Sequence, residues 1–272
     1  MQQRTRATRR QKHGNDTATT RQRDGIELHH LKNQTTPIIL IPQEKSPFFL
    51  RIPKKSSIFA PKFKSITMNE KQNWFYILRS AFLAGVCIGI GGFVYLAAKS
   101  IIGAVLFAFG LLTVVHYGLK LYTGTAGFIH RGEVGQLLLI LLGNIIGCLA
   151  VALVARCSPM PLQETATGIL EARLANGPLF GGVLAIGCGF IMTTAVTFGR
   201  QGKFLPLLFG VPTFIMCGFP HCVADAFYYL CAPLSFWTEH WAAILLFYVA
   251  IVIGNFIGCN LFRAVMPAET AK

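Results

Sequence analysis

Six long apolar runs between residues 74 and 264 set the strongest limit on how this chain folds. They cover roughly 74–98, 101–129, 134–155, 179–198, 204–232 and 241–264. About 20 apolar residues of α-helix cross a hydrocarbon layer about 30 Å thick, so each run is long enough to do so. Only 13% of the residues are charged, against about 25% in soluble proteins. The sequence therefore predicts an all-α membrane protein with six transmembrane helices.

The segment before these runs has a different composition. Residues 1–67 contain 14 Lys/Arg and 4 Asp/Glu, and they supply +10 of the net charge of +14. A basic chain often binds nucleic acid, but this segment is polar and without sustained periodicity, so we expect it to be disordered and predict no nucleic-acid partner. We expect two parts, a basic extension over 1–67 and a six-helix domain over 68–272. Met68 is interpreted as the native start.

Basic residues also predict the orientation of the helices. With six spans, the N-terminal tail, the turns at 130–133 and 199–203, and the C-terminus lie on one side, and they carry most of the Lys and Arg. Loops rich in Lys and Arg face the cytoplasm. We therefore expect a multi-pass protein of the cell membrane with both termini in the cytoplasm.

Two of the six runs are interrupted. The second contains VVHYGLKLYTGTAGF (114–128), and the fifth contains LFGVPTFIMCGFPHCVADAF (208–227). Glycine, or glycine and proline, stands there beside ionisable residues in mid-span. Backbone groups freed by such residues are tolerated in a membrane only where they pack within protein or line a cavity. We predict that the second and fifth helices are broken.

A short motif relates the two halves of the chain. GNIIGC at 143–148 recurs as GNFIGC at 254–259, each one span after an interrupted run. Small residues four positions apart allow helices to approach closely. The residues expected to pack helices in this way are Gly143, Asn144, Gly147, Gly254, Asn255 and Gly258. The matching positions argue for a three-plus-three inverted repeat, which in transporters places the substrate pathway between the halves.

Two motifs resemble those of the formate/nitrite transporter family. GFPHCVADAFY (218–228) resembles that family's GFEHSIAN-type signature, and LKLYTGT (119–125) resembles its LFTS-type loop in the second helix. The resemblance covers about 74–264. It implies an aquaporin-like, six-helix channel protomer with its own pore, a homopentamer in a lipid bilayer such as the bacterial inner membrane, and transport of formate, nitrite or hydrosulfide. No enzymatic activity and no cofactor are implied.

The resemblance also assigns roles to single residues. His221 takes the place of the central pore histidine, and Thr123 that of the threonine in the broken second helix. Arg173 falls where the family has a lysine near the outer funnel. The apolar residues expected to narrow the pore are Phe107, Leu111, Leu121 and Phe214. Lys120 and Asp225 depart from the family pattern, and they either form an ion pair across the two breaks or each face water in a vestibule.

These residue types suit the passage of a weak-acid anion. An anion loses much of its hydration at an apolar constriction, and a cation outside it, here Arg173, raises the local anion concentration. His221 is a candidate donor of a proton or hydrogen bond, because the unperturbed pKa of histidine, about 6.5, lies near working pH. Thr123 can donate a hydrogen bond to the same anion. A merely structural histidine is the alternative interpretation.

Other functions fit parts of the sequence. A membrane enzyme could use His221 and Asp225 as a base and its orienting partner, but no nucleophile stands in a recognisable motif. A neutral-solute channel of the aquaporin type would also have broken helices, but the paired NPA turns are absent. Cys217, His221 and Asp225 stand four residues apart, yet Pro220 interrupts the helix and a fourth ligand is not evident, so no metal site is expected.

Overall fold

The computed structural model describes residues 74–130 and 132–266, which form α-helices joined by short connections. The helices are α1 (Trp74–Ala98), α2 (Ile101–His116), α3 (Tyr122–Ala126), α4 (Val134–Ala155), α5 (Leu162–Arg200), α6 (Leu205–Met216), α7 (Cys222–Cys231) and α8 (Leu234–Val265). In these ranges α1, α4, α5 and α8 are long and apolar enough to cross a membrane, and α2, α6 and α7 are shorter apolar helices. The predicted all-α class is confirmed. The extension over 1–67 and the start at Met68 lie outside the described residues.

The fourth predicted span is only part of a longer helix. α5 begins at Leu162 rather than near 179, and it bends at Gly177, whose φ of 78° and ψ of 163° are not helical. Glycine adopts such angles without a side-chain clash, and Pro178 after it removes a backbone donor. Residues 162–176, which lie outside the six apolar runs, are therefore helical as well. α8 likewise begins at Leu234 rather than 241.

The long helices cross in close contact at the GNxIGC motifs. A Cβ added at Gly147 of α4 would overlap the carbonyl oxygen of Phe82 in α1, and one added at Gly258 of α8 would overlap that of Ile186 in α5. Lipid tails are as apolar as the helix surfaces, so helices associate in a membrane mainly through such close packing. Larger side chains at these glycines would push the helix pairs apart.

Large apolar side chains cover much of the outer surface of this part of the chain. Phe109 of α2, Leu138 of α4, Val183 of α5 and Leu245 of α8 are each more than half exposed. A soluble protein rarely exposes contiguous apolar patches of more than a few hundred Å². The surface is therefore suited to contact with acyl chains.

Candidate functional site

The helices α2 and α6 end in the same backbone geometry, inside the second and fifth apolar runs. We call residues 117–121 the first break and residues 217–221 the second break. Gly118 has a φ of 64° and Gly218 a φ of 68°. In each break the N–H of the residue after the glycine donates, at 2.9 Å, to the carbonyl five residues earlier, as at many helix ends closed by glycine. The chain then extends and begins a new short helix, α3 or α7.

Asn144 satisfies the polar groups that the first break frees. Its side-chain nitrogen donates to the carbonyls of Ala81 at 2.8 Å and of Lys120 at 2.9 Å, and its oxygen accepts from the N–H of Tyr122 at 2.9 Å. The side chain is fully buried. One amide therefore joins α4 to α1, to the break and to the start of α3.

Asn255 does the same for the second break. It donates to the carbonyls of Ala185 at 2.8 Å and of Pro220 at 3.0 Å, and it accepts from the N–H of Cys222 at 2.8 Å. The sequence analysis assigned both asparagines to helix packing alone. The two matching GN pairs were the available signal for the second role, but spacing does not reveal which carbonyls an amide reaches.

Each half of the chain also contacts the short helix that follows the break of the other half. Cys148 of α4 donates from its thiol to the carbonyl of Val223 at 3.4 Å, and Cys259 of α8 donates to the carbonyl of Thr123 at 3.4 Å. These four residues are buried. The asparagine of each motif thus bonds to its own break, and the cysteine four residues later bonds to the short helix that follows the other break.

The last turns of α8 hold the segment that follows the first break. The side-chain nitrogen of Asn260 donates to the carbonyl of Ala126 at 3.1 Å, and Nη1 of Arg263 donates to that of Ile129 at 3.0 Å. From α5, Nη2 of Arg200 donates to the carbonyl of Gly124 at 2.9 Å. The sequence analysis used the basic residues of the 199–203 turn and of the C-terminus only to orient the helices. Their bonds to carbonyls could not be predicted, because every residue type has a backbone carbonyl.

A buried hydrogen bond joins the two short helices. Oγ1 of Thr123 lies 2.9 Å from Nε2 of His221, while Nδ1 of His221 accepts from the N–H of Ala224 at 3.2 Å. His221 is 1% exposed and Thr123 is 0% exposed. Because Nδ1 is an acceptor, a neutral His221 carries its proton on Nε2, and this N–H donates a hydrogen bond to Oγ1 of Thr123. The hydrogen-bond network thus fixes one tautomer.

Apolar side chains surround this hydrogen bond. The ring of Phe214 stacks on the imidazole of His221 with centroids 5.6 Å apart, and Phe107 packs edge-on against Phe214 at 6.2 Å. Phe107, Leu111 and Leu121 are at most 1% exposed. The residues expected to form the constriction are therefore buried, and one of them, Phe214, contacts the histidine ring directly.

Two cavities adjoin the breaks. The first has a volume of about 450 Å³, and its lining includes Lys99, Arg173, Phe214, His221 and Asp225. The second has a volume of about 300 Å³, and its lining includes His130, Glu133, Lys120, Gly124 and Arg200. His221 lines the first cavity, and Thr123 directly precedes Gly124, which lines the second. The hydrogen bond between His221 and Thr123 therefore connects the surroundings of the two cavities.

Lys120 and Asp225 do not form the ion pair that was one of the two arrangements expected for them, and Asp225 does not face water as in the other arrangement. Asp225, with a fully buried side chain, pairs with Arg173, whose Nη1 donates to its Oδ1. Lys120 lines the second cavity, whereas Asp225 lines the first. The reason is their different place relative to the short helices: Lys120 lies in the first break, just before α3, whereas Asp225 lies one turn inside α7. The two charges therefore border different cavities.

The helix register that would align Cys217 with His221 and Asp225 is interrupted, because Cys217 ends α6 and His221 precedes α7. Cys217 is exposed, whereas the other two are buried. Among the described residues, no group of three or more His, Cys, Asp or Glu side chains is arranged to hold a metal ion.

Comparisons with known proteins agree with the motifs. The chain matches the family model described as "Formate/nitrite transporter" over residues 62–268. It is 32% identical over 186 residues to the uncharacterized transporter YrhG of Bacillus subtilis (strain 168), and the alignment covers 60% of this chain and 69% of that protein.

Two solved structures share the fold. One is a pentameric formate channel with formate bound, which is 22% identical at a TM-score of 0.59, with 72% of this chain and 96% of that chain covered. The other is an FNT family ion channel, which is 21% identical at a TM-score of 0.59, with 72% and 92% covered. The prediction of a membrane transport protein rather than an enzyme is confirmed by the family match. With its motifs, helices and matched range taken together, the chain belongs to the formate/nitrite transporter family.

Proposed function

We propose that this chain forms a channel for small monovalent weak-acid anions such as formate, nitrite or hydrosulfide. The observation that carries the proposal is the buried hydrogen bond between His221 and Thr123, at 2.9 Å. It lies among apolar side chains. His221 borders the first cavity, and Gly124, next to Thr123 in the chain, borders the second. A polar pair in such a position gives a dehydrated anion hydrogen-bond donors at the narrowest point of its path.

The proposed architecture has six membrane crossings in two inverted halves. They are formed by α1, by α2 with α3, by α4, by the part of α5 after Gly177, by α6 with α7, and by α8. The matching breaks and the matching hydrogen bonds of Asn144 and Asn255 support this arrangement. Both termini face the cytoplasm, and the assembly is a homopentamer, as in the pentameric formate channel of the same fold.

In the proposed mechanism, the anion replaces Thr123 as the acceptor of the Nε2 proton of His221. The hydroxyl of Thr123 then turns to donate a second hydrogen bond to the same anion. Two donors replace part of the hydration that the anion loses between Phe107, Leu121 and Phe214. A weak-acid anion can also take up a proton and cross the apolar stretch as the neutral acid. The free-energy cost of dehydration is then lower, because no net charge is buried.

The contacts of Nδ1 favour hydrogen bonding over proton donation by His221. Transfer of the Nε2 proton from a neutral imidazole would leave an imidazolate, so donation requires a second proton on Nδ1. That proton would break the hydrogen bond that Nδ1 accepts from the N–H of Ala224 at the start of α7. We therefore assign His221 the role of hydrogen-bond donor, with the proton of the neutral acid supplied from the aqueous side.

The test is anion flux in sealed proteoliposomes that contain the full chain. We expect the wild type to conduct at least one of formate, nitrite and hydrosulfide. His221→Ala should lower that flux about tenfold or more, because a hydrogen bond to a charged group is lost. His116→Ala is the matched control, because His116 is exposed at the end of α2. Absence of flux for all three anions in the wild type, or equal flux in His221→Ala, would contradict the proposal.

A further inference from the structure

The first cavity contains an ion pair whose two members differ in accessibility. Arg173 of α5 donates from Nη1 to Oδ1 of Asp225 in α7, and both residues line the cavity. The side chain of Asp225 is 0% exposed, whereas that of Arg173 is 17% exposed. Arg173 is therefore the more accessible member of the pair for a molecule in the cavity.

The guanidinium is held from a second direction by an aromatic ring. Its central carbon lies 5.7 Å from the ring centroid of Tyr228, and that ring packs against Tyr95 of α1 with centroids 6.4 Å apart. Tyr228 stands three residues after Asp225 on α7, so both contacts come from one face of that helix. An arginine side chain held in this way has lost much of its rotational freedom before any ligand arrives, which lowers the entropic cost of binding.

Asp225 occupies only part of the hydrogen-bonding capacity of Arg173. A guanidinium has five N–H donors, and one of them donates to Asp225. Oδ2 of Asp225 has no hydrogen-bond partner among the described residues, so the pair is a single contact and not the two-bond fork that arginine and carboxylate often form. Other N–H groups of Arg173 are left for a ligand.

Given the proposed channel function, we propose that Asp225 and Tyr228 position Arg173 to select planar anions with two oxygen atoms. Formate and nitrite present two oxygens that can accept two parallel N–H bonds from one edge of the guanidinium. Hydrosulfide presents a single sulfur and gains only one such contact. An ammonium group would attract all three anions as a point charge. Arg173 thus determines specificity, and Asp225 is a positioning residue.

The experiment compares Arg173→Lys with the wild type in sealed proteoliposomes at one fixed pH. Half-saturating concentrations are measured for formate, nitrite and hydrosulfide. We expect the values for formate and nitrite to rise about tenfold, and that for hydrosulfide to change by less than about twofold, because the charge is kept and the two-bond geometry is lost. Retained hydrosulfide flux also shows that the variant is folded. Arg79→Lys, on α1 and outside the lining of both cavities, is the matched control and leaves the ratios unchanged.

The positioning role of Asp225 is tested with two substitutions. Asp225→Asn keeps an oxygen acceptor for Nη1 and is expected to retain most of the preference for formate and nitrite over hydrosulfide. Asp225→Ala removes the acceptor and is expected to lose that preference while hydrosulfide flux persists. Equal loss of preference in both variants would overturn the positioning role.

If Arg173→Lys alone does not fold, the same fluxes are measured in the double variant Arg173→Lys with Asp225→Asn. There the neutral amide of residue 225 needs no ion pair, so the shorter lysine side chain leaves no buried charge without a partner. Loss of preference for formate and nitrite in this variant supports the inference. An unchanged preference, or an equal change for all three anions, overturns it while the channel function stands. Absence of all flux in the wild type would overturn both.

Discussion

The two breaks have the same backbone but different side chains. Gly118 and Gly218 end their helices with nearly equal φ angles, and a buried asparagine satisfies each break in the same way. Yet Leu121 stands in the first break where His221 stands in the second. The backbone support is thus alike at the two breaks, whereas the polar side chain at the end of the break is present only in the second. The four predictions below test that difference.

The largest effect is expected from the asparagines, which belong to the shared scaffold. Asn144→Leu and Asn255→Leu each remove three hydrogen bonds and leave buried backbone groups unpaired. Each unpaired group costs about 1–3 kcal/mol, so we expect each variant to lose on the order of 3 kcal/mol or more of unfolding free energy. Thermal or chemical denaturation of the purified protein in detergent measures this. A large loss in one variant and none in the other would show that the halves are not equivalent scaffolds.

The next largest effect is expected where the breaks differ. His221→Leu gives the second break the residue of the first, so it should leave the fold intact and lower formate flux about 10- to 100-fold through the lost hydrogen bond to the anion. Proteoliposome flux with equal amounts of reconstituted protein is the measurement. Flux at the wild-type level in the folded variant would mean that the histidine is structural.

A smaller effect is expected from moving the hydroxyl between the halves. Thr123→Val removes the partner of His221 and should lower flux about 3- to 10-fold, the value of one hydrogen bond of about 1 kcal/mol. Val223 follows the second break as Thr123 follows the first, so Val223→Thr restores the hydroxyl count in the other half. We expect no recovery of flux in the double variant. Full recovery would show that the position of the hydroxyl does not matter.

The smallest effect is expected in the difference between two substitutions of one break glycine. Gly118→Ala and Gly218→Ala place a side chain in a left-handed conformation, which costs about 1–2 kcal/mol each. At Gly218 an added Cβ would meet nothing within 4 Å, so there the cost comes from the backbone angle alone. Asparagine tolerates this conformation better, and Gly218→Asn should lose less unfolding free energy than Gly218→Ala. Equal losses in the two Gly218 variants would point to a different cause.

The sequence predicted the features that depend on local patterns. Apolar length predicted the helices, and glycine with ionisable residues in mid-run predicted interruptions where the chain leaves the helix at 117–121 and 217–221. The helical segment 162–176 was missed because its mixed composition, LQETATGILEARLAN, lacks the apolar length used to identify spans. The Gly177–Pro178 pair in the sequence indicated where this helical segment bends, but apolar length alone was used to predict helices.

Contacts between distant residues could not be read in the same way. Arg173 and Asp225 are 52 positions apart, and nothing in the spacing distinguishes Arg173 from Lys120 as the partner of Asp225. That choice depends on which cavity each side chain borders, and hence on the packing of α5 against α7. The bonds of Asn144 and Asn255 to carbonyls were hidden for a similar reason, because every residue type has a carbonyl.

The bonds from the end of α8 to the 123–129 segment have a consequence for biosynthesis. Cys259, Asn260 and Arg263 come close to the end of the chain, yet they hold carbonyls that follow the first break. A ribosome delivers α3 more than a hundred residues before these partners. These bonds therefore form only after α8 has been synthesised, and the channel that we propose is complete only when this last helix is in place.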